Sequence, residues 1–142
     1  MDITSSNAVI MLAVAGLFDI PQQLQQFSAD NIFGTNVLEA AETSMGVDGH
    51  LTGGVVFNPT EQNYELMADS PSNFFFDQVY LRQRADQVLY RIQGTIILTS
   101  VGTKFTMRRG ILTSWQPLPD AGRTLKARRH TIRWERVTPN PS

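Results

Sequence analysis

The feature that most constrains the fold is a long alternation of apolar and polar residues in the second half of the chain. Every second residue from Val88 to Leu98 is apolar or glycine, a period typical of a strand with one buried face: Val88, Tyr90, Ile92, Gly94, Ile96 and Leu98. Residues 100–103 supply a turn, and Phe105, Met107 and Ile111 continue the apolar face on the return. The pattern predicts a long β-hairpin with a bulge near Arg109 and Gly110.

One helix is predicted just before this hairpin, over residues 70–85. Ser70 is a suitable N-cap, and Pro71 suits the first helical position, where a missing N–H costs no hydrogen bond. Phe75 and Val79 lie four residues apart, so they share an apolar face. We therefore expect a short amphipathic helix that packs against the strands.

The N-terminal part predicts further β structure. The apolar run over residues 8–15 is shorter than the roughly 20 residues of a membrane span, and we interpret it as a buried strand. Gly16 and residues 19–21 are expected to turn the chain. Residues 22–33 are polar with sparse apolar positions, so they are expected to be irregular or weakly β.

A second hairpin is predicted around a turn at residues 47–50. The strand that follows, over residues 51–57, contains Gly53 and Gly54, which should weaken it or allow another backbone to approach closely. Residues 58–61, with Pro59, have the composition of a turn that leads to a return strand. The length and glycine content of the hairpin that residues 51–57 form with this return strand predict that it protrudes from the core.

The C-terminal part predicts one last strand over residues 123–137, with a bulge at Arg128 and Arg129 and a frayed end at residues 139–142. The total is six to eight strands and one helix, in a chain whose 142 residues suit one domain. The predicted fold class is mainly β: an antiparallel two-sheet sandwich or a partly open barrel with one flanking α-helix.

Composition and motifs argue against catalysis. Cysteine is absent, which excludes thiol nucleophiles and cysteine-ligated zinc. His50 and His130 lack the spacing of a metal site, and no phosphate-binding glycine motif precedes a helix. On a strand, Glu39 and Glu42 would point to opposite faces, which disfavours a catalytic carboxylate pair. We expect no enzyme activity, no cofactor and no metal.

Charge is distributed unevenly along the chain. Residues 1–81 contain ten acidic residues and no Lys or Arg, whereas residues 82–142 contain twelve basic and three acidic residues. The basic segment over residues 123–136, near Trp134, is compatible with a small nucleic-acid-binding β-barrel, although a pI near 6.1 is low for such a protein. The alternative is self-assembly, in which oppositely charged surfaces meet head to tail.

The chain resembles the tail tube proteins of tailed bacteriophages. The similarity lies in residues 68–73, which lead into the helix, the long strand through residues 94–96, the return strand ending at residues 109–113, a proline-containing loop and a final strand with Trp134. It covers residues 51–137, and residues 1–50 match less clearly. The resemblance implies two packed sheets, hexameric rings and a stacked hollow tube for DNA delivery.

The resemblance also implies partners and surface residues. Expected partners are further copies of the chain and tail sheath, tape-measure and baseplate proteins, in a virion assembled in the bacterial cytoplasm, with DNA passing through the lumen without specific binding. Residues 51–65 would match a hairpin that reaches an adjacent ring: Leu51, Gly53, Gly54, Val55, Phe57, Asn58, Pro59 and Glu61. Charged interface or lumen candidates are Glu39, Glu42, Asp48, Arg108, Arg123, Lys126, Arg128 and Arg129. Another ring-forming tail component, a terminator or baseplate protein, fits the same pattern.

Overall fold

A computed structural model describes residues 8–27, 33–38, 40–55 and 57–141. Its elements in chain order are β1 (Ala8–Val14), β2 (Phe18–Gln23), β3 (Phe33–Thr35), β4 (Ala41–Met45), β5 (Leu51–Val55), β6 (Thr60–Leu66), α1 (Asn73–Asp86), β7 (Ile92–Leu98), β8 (Thr103–Trp115), β9 (Arg128–Trp134) and β10 (Arg136–Pro141). The prediction of a mainly β chain with one helix is confirmed.

Two antiparallel sheets share the long strand β8. Sheet A has the order β2-β1-β7-β8-β10 and uses the first half of β8. Sheet B has the order β8-β9-β6-β3 and uses the second half. The hairpin β4–β5 forms a separate two-stranded sheet. Sheets A and B do not close into a barrel, since the described strands end in β2 at one edge and β3 at the other.

The predicted bulge in β8 lets one strand serve both sheets. Arg109 has a φ of 52°, and the pairing of β7 with β8 shifts register between Ile92 and Gly94. The extra residue reverses the alternation, because two residues of the bulged strand oppose one on its partner. Leu112 is therefore buried and Ile111 is not, so the predicted inward position of Ile111 is wrong.

The core lies between the two sheets and under the helix. Trp134 is fully buried and lies against two glycines, where a Cβ added to Gly94 would be 2.9 Å from Trp134 Cη2 and one added to Gly110 would be 2.5 Å from Trp134 Cε3. The indole thus occupies space that side chains on β7 and β8 would fill. The other large buried side chains are Ile10, Leu12, Tyr64, Leu66, Phe76, Ile92, Ile96, Met107 and Ile132.

The helix begins later than predicted. Its N-cap is Ser72, whose side chain makes no capping hydrogen bond, and Pro71 lies in the turn before it. The hydroxyls of Ser70 and Ser72 instead bind the segment after β2: Ser72 Oγ accepts a hydrogen bond from the Gln25 N–H at 2.8 Å, and Ser70 Oγ donates to the Gln25 carbonyl. Ser70 Oγ also accepts a hydrogen bond from the Ser72 N–H at 3.2 Å, so the predicted cap residue makes both a local and a tertiary contact.

Two predicted irregular segments are edge strands. The turn predicted at Gly16 is confirmed, since residues 15–17 form it and Gly16 has a φ of 83°. Its predicted continuation at residues 19–21 is wrong, because Pro21 is inside β2. The frayed end expected at residues 139–142 is the strand β10 up to Pro141, whereas Ser142 is outside the described residues. Both strands lie at edges of sheet A. A proline is tolerated in an edge strand because the missing N–H can be on the side that pairs with no other strand.

Two other strand boundaries also differ from the predictions. Residues 58–61 do not reverse the chain into a hairpin with β5, because Thr60–Leu66 pairs with β3 and β9. The strand predicted over residues 123–137 begins only at Arg128, where a bulge was expected, and it is interrupted at Glu135 before β10 continues it. Long-range pairing decides both boundaries, and composition alone does not reveal it.

Candidate assembly surfaces

The hairpin β4–β5 has an apolar surface that its own chain does not cover. Its strands pair with each other, and every described residue in them is exposed. Leu51 is 64% exposed, Val55 79% and Phe57, just beyond β5, 90%. The turn predicted at residues 47–50 joins these two strands, but the protruding hairpin predicted over residues 51–65 is wrong in its pairing, because β5 pairs with β4 and β6 lies in sheet B. A cluster of exposed apolar side chains of this kind marks a protein-interaction surface.

An open groove of about 680 Å³ adjoins the base of this hairpin. Leu38, Phe57 and Pro59 line one part of it, and Arg136 and Val137 of β10 line another. Glu135 lines the groove beside Arg136, so the two charges offset each other, and the apolar part of the lining suits an apolar segment of a protein.

The outer face of sheet B pairs the two oppositely charged parts of the chain. Glu65 Oε1 lies 2.9 Å from Arg129 Nε, and Arg133 donates a hydrogen bond to Glu61. Each acid is directly opposite its arginine in the β6–β9 register. Between the two pairs, the Thr131 hydroxyl donates to Asn63 Oδ1 at 2.7 Å. Part of the charge asymmetry is therefore neutralised within one subunit.

A polar network fixes α1 to sheet B. Arg128 Nη2 is 2.7 Å from Asp77 Oδ1, and the same oxygen accepts a hydrogen bond from Trp115 Nε1 at 2.8 Å. Arg128 also donates from Nη2 to the Gln116 carbonyl at 2.8 Å. The Arg128 side chain is 8% exposed, so this ion pair lies inside the subunit and is not available to a neighbour.

His130 lies beneath the same helix. Its ring stacks on Phe76 with centroids 4.3 Å apart, and Nε2 is 3.1 Å from Asn73 Oδ1. Burial and the Arg128 charge lower the pKa of His130 to about 4. The neutral ring is thus held at physiological pH. Sequence reasoning missed this network, since Asn73, Asp77 and Trp115 carry no signal of it in their local pattern.

The predicted surface residues do not form one site. Leu51, Gly53, Gly54 and Val55 lie in β5, Phe57 and Pro59 line the groove, and Asn58 lies between them. Glu61 belongs instead to β6, where it is paired with Arg133, because residues 60–66 are a strand of sheet B.

The charged candidates are also dispersed. Glu42 lies on the hairpin and Asp48 at its tip, whereas Glu39 is outside the described residues. Arg108 is exposed on sheet A, and Arg123 and Lys126 lie in the loop between β8 and β9. Arg128 and Arg129 are held by the ion pairs described above. Their assignment to an interface or lumen stays a prediction.

The described residues lack two kinds of feature, a metal site and a membrane-spanning helix. No group of histidine and acidic side chains there has the arrangement of a metal site. None of the helical structure there is long and apolar enough to cross a membrane. Trp134, the aromatic side chain that a nucleic-acid-binding protein of this kind would stack on bases, is fully buried.

The fold is similar to that of several chains of known structure. A chain of the sheath/tube terminator of the extracellular contractile injection system PVC superposes with a TM-score of 0.67 at 14% identity, covering 99% of this chain and 97% of that chain. A chain of the tube-terminating cap of the anti-feeding prophage gives 0.65 at 11% identity, with 100% and 93% covered. A chain of the anti-feeding prophage baseplate gives 0.62 at 14%, with 99% and 97% covered.

At these identities the likeness establishes the fold, and the predicted resemblance to tail tube proteins is confirmed at that level. No curated protein matches the sequence. The family described as tail fiber protein gp32 matches residues 1–138, which is nearly the whole chain. This protein is therefore a member of the tail fiber protein gp32 family.

Proposed function

We propose that this protein is a structural subunit of a bacteriophage tail tube, which forms hexameric rings that stack head to tail around the channel for DNA delivery. It is not an enzyme and holds no cofactor. Its partners are further copies of itself and the sheath, tape-measure and baseplate proteins. Subunits assemble in the host cytoplasm and remain in the virion. The full-length fold likeness to chains of two contractile particles supports this proposal.

The observation that carries the proposal is the uncovered hairpin. Leu51, Val55 and Phe57 expose most of their surface, and β4 and β5 extend no sheet of their own subunit. Complete burial of such a side chain stabilises a complex by about 1.5–3 kcal/mol before ordering costs. A contact that repeats around a ring multiplies this gain. Stacked rings provide a covering surface for every hairpin except those at one end.

A second candidate, a terminator, cap or baseplate subunit, has a specific observation in its favour. The three structural likenesses with TM-scores of 0.62 to 0.67 are to chains from particles described by those names. Such a subunit would form a single ring, whereas a tube subunit would propagate. The length of the assembly therefore distinguishes the two functions.

Negative-stain electron microscopy with light scattering, across protein concentration and salt, tests the proposal. Hollow tubes of stacked rings are the expected result, and isolated rings would favour the second candidate. A monomer at every concentration, in the presence of the baseplate and tape-measure proteins as initiators, would contradict both.

A pair of matched variants tests the role of the hairpin. Leu51→Ser removes a leucine that is 64% exposed on β5, and the control Leu118→Ser removes one that is 74% exposed in the loop between β8 and β9. Leu51→Ser should abolish stacking without lowering the unfolding temperature, and Leu118→Ser should assemble normally. Normal tubes from Leu51→Ser would exclude the hairpin from the contact.

A glycine substitution tests how closely a neighbouring subunit approaches the hairpin. A Cβ at Gly54 meets no atom within 4 Å in the subunit, whereas one at Gly53 would lie 3.2 Å from the Glu42 carbonyl oxygen. Gly54→Val should therefore impair stacking more than folding. Loss of the folded monomer instead would mean that this strand belongs to the core.

A further inference from the structure

The outer face of sheet A changes from apolar to cationic across its strands. The outward-facing residues of β1, β7, β8 and β10 form three rows that run across the strands. At the β1 side the outward residues are Val9, Met11 and Ala13, followed by Gln93, Thr95 and Ile97 on β7. On β8 and β10 they are Lys104, Thr106, Arg108, Arg136, Thr138 and Asn140. No acidic residue occupies an outward position on these four strands within the described chain.

Lys104, Arg108 and Arg136 form a basic strip along this edge. All three side chains are exposed, and none makes an ion pair with a described residue. Arg108 and Arg136 are directly opposite each other in the β8–β10 ladder, an arrangement in which like charges destabilise the sheet. Glu135, the acidic residue before Arg136, is paired with another arginine, since its Oε2 lies 3.6 Å from Arg109 Nε.

We propose that the basic strip binds the phosphodiester backbone of nucleic acid without reading base sequence. Lys104 and Arg108 are four residues apart on one strand face, about 13 Å, a distance that spans more than one phosphate. The hydroxyls of Thr106 and Thr138 lie between the cations, in the middle row, and hydroxyls also donate to phosphate oxygens. No aromatic side chain faces outward on these four strands in the described chain, so bases would not be stacked.

The proposed partner differs from the one that suits the hairpin. The exposed hairpin is chiefly apolar and has Glu42 and Asp48 as its described acids, whereas the edge of sheet A that carries the strip is polar and cationic. A polyanion matches that edge better than an apolar protein segment does. The inference does not rest on tube assembly, because the strip is complete within one subunit.

Fluorescence anisotropy with a labelled duplex and a labelled single strand of the same sequence tests the inference, with light scattering on the same samples. Three phosphate contacts give a slope of about −2.7 for log affinity against log salt, which is about a 40-fold loss between 50 and 200 mM. Arg108→Gln and Arg136→Gln should each reduce the slope by about 0.9. Arg84→Gln, which removes one exposed charge from the helix, should leave it unchanged.

Folding controls keep the interpretation clear. Replacing either strip arginine removes a like-charge contact, so the unfolding temperature of the variant should equal or exceed that of the parent protein. Weaker DNA binding by a more stable variant would support the strip as the binding surface. Equal binding by the strip variants and Arg84→Gln would overturn it. Lost self-association with unchanged DNA binding would overturn it too, and would assign the strip to a contact between subunits.

Discussion

His130 makes the stability of this subunit dependent on pH in a direction that the structure determines. The side chain is fully buried, and its Nδ1 has no hydrogen-bond partner among the residues that the structure describes. Because Asn73 Oδ1 accepts a hydrogen bond, the neutral ring carries its proton on Nε2. Burial and the nearby Arg128 oppose a second proton and lower the pKa of His130 from 6.5 to about 4, while the Asp77 charge acts in the opposite direction.

The magnitude follows from proton linkage. In the unfolded chain the histidine has its ordinary pKa of about 6.5, so between pH 6.5 and pH 4 the unfolded state binds more protons than the folded one. The free energy of unfolding therefore decreases as the pH is lowered through this range. A pKa difference of about 2.5, at about 1.4 kcal/mol per pKa unit, gives a loss of roughly 3 kcal/mol. That is a large fraction of the 5–15 kcal/mol typical of a domain.

Urea unfolding at several pH values from 7 to 4, followed by tryptophan fluorescence, measures this effect. His130→Gln should cost stability at pH 7, but its disadvantage relative to the parent protein should shrink by about 3 kcal/mol by pH 4. His50→Gln, which alters the exposed histidine near the hairpin tip, should follow the parent protein at every pH. Parallel curves for the parent and His130→Gln would refute the reasoning, as would an NMR titration of His130 with a pKa near 6.5.

Two further predictions concern packing and the helix contact, and both are measured by urea unfolding at neutral pH. Gly94→Ala, which places a methyl group against the core tryptophan, should destabilise the fold by about 1–3 kcal/mol, and Gly54→Ala on the open hairpin should change it by less than about 0.5 kcal/mol. Asp77→Asn leaves the buried guanidinium of Arg128 without its carboxylate and should cost about 3 kcal/mol. Glu61→Gln, which removes the carboxylate of the more exposed pair with Arg133, should cost under about 1 kcal/mol. Equal effects within either pair would contradict the structural reason given for it.

Local pattern predicted the parts of the fold that local physics controls. The period-two stretch around Gly94, the return strand with its bulge at Arg109 and the buried strand after Ala8 all appear in the structure. Each depends on alternation or on a turn residue, which a short window of sequence contains. The turn at residues 47–50 was predictable for the same reason, but the partner of β5 was not, since residues 60–66 pair with β3 and β9 instead.

The errors arose where tertiary pairing overrides composition. Proline made the segments around Pro21 and Pro139 look like turns or frayed ends, yet a proline is compatible with an edge strand. Ser70 has the chemistry of a cap, but its hydroxyl is used by the chain after β2. The sites beneath α1 were not predictable, since Asp77 and Arg128 are 51 residues apart and only the packed helix brings them together.

The charge asymmetry of the sequence has a first explanation within one subunit. The register of β6 and β9 sets Glu61 opposite Arg133 and Glu65 opposite Arg129 on the outer face, while Tyr64 and His130 face the core. A slip of one residue would bury these charges and expose the core side chains. Both arginines of these pairs are exposed, so the pairs contribute little stability, and we expect their main effect to be to disfavour the wrong register. The charge without such pairs, which includes Glu42 on the hairpin and the basic strip on sheet A, remains available to a partner.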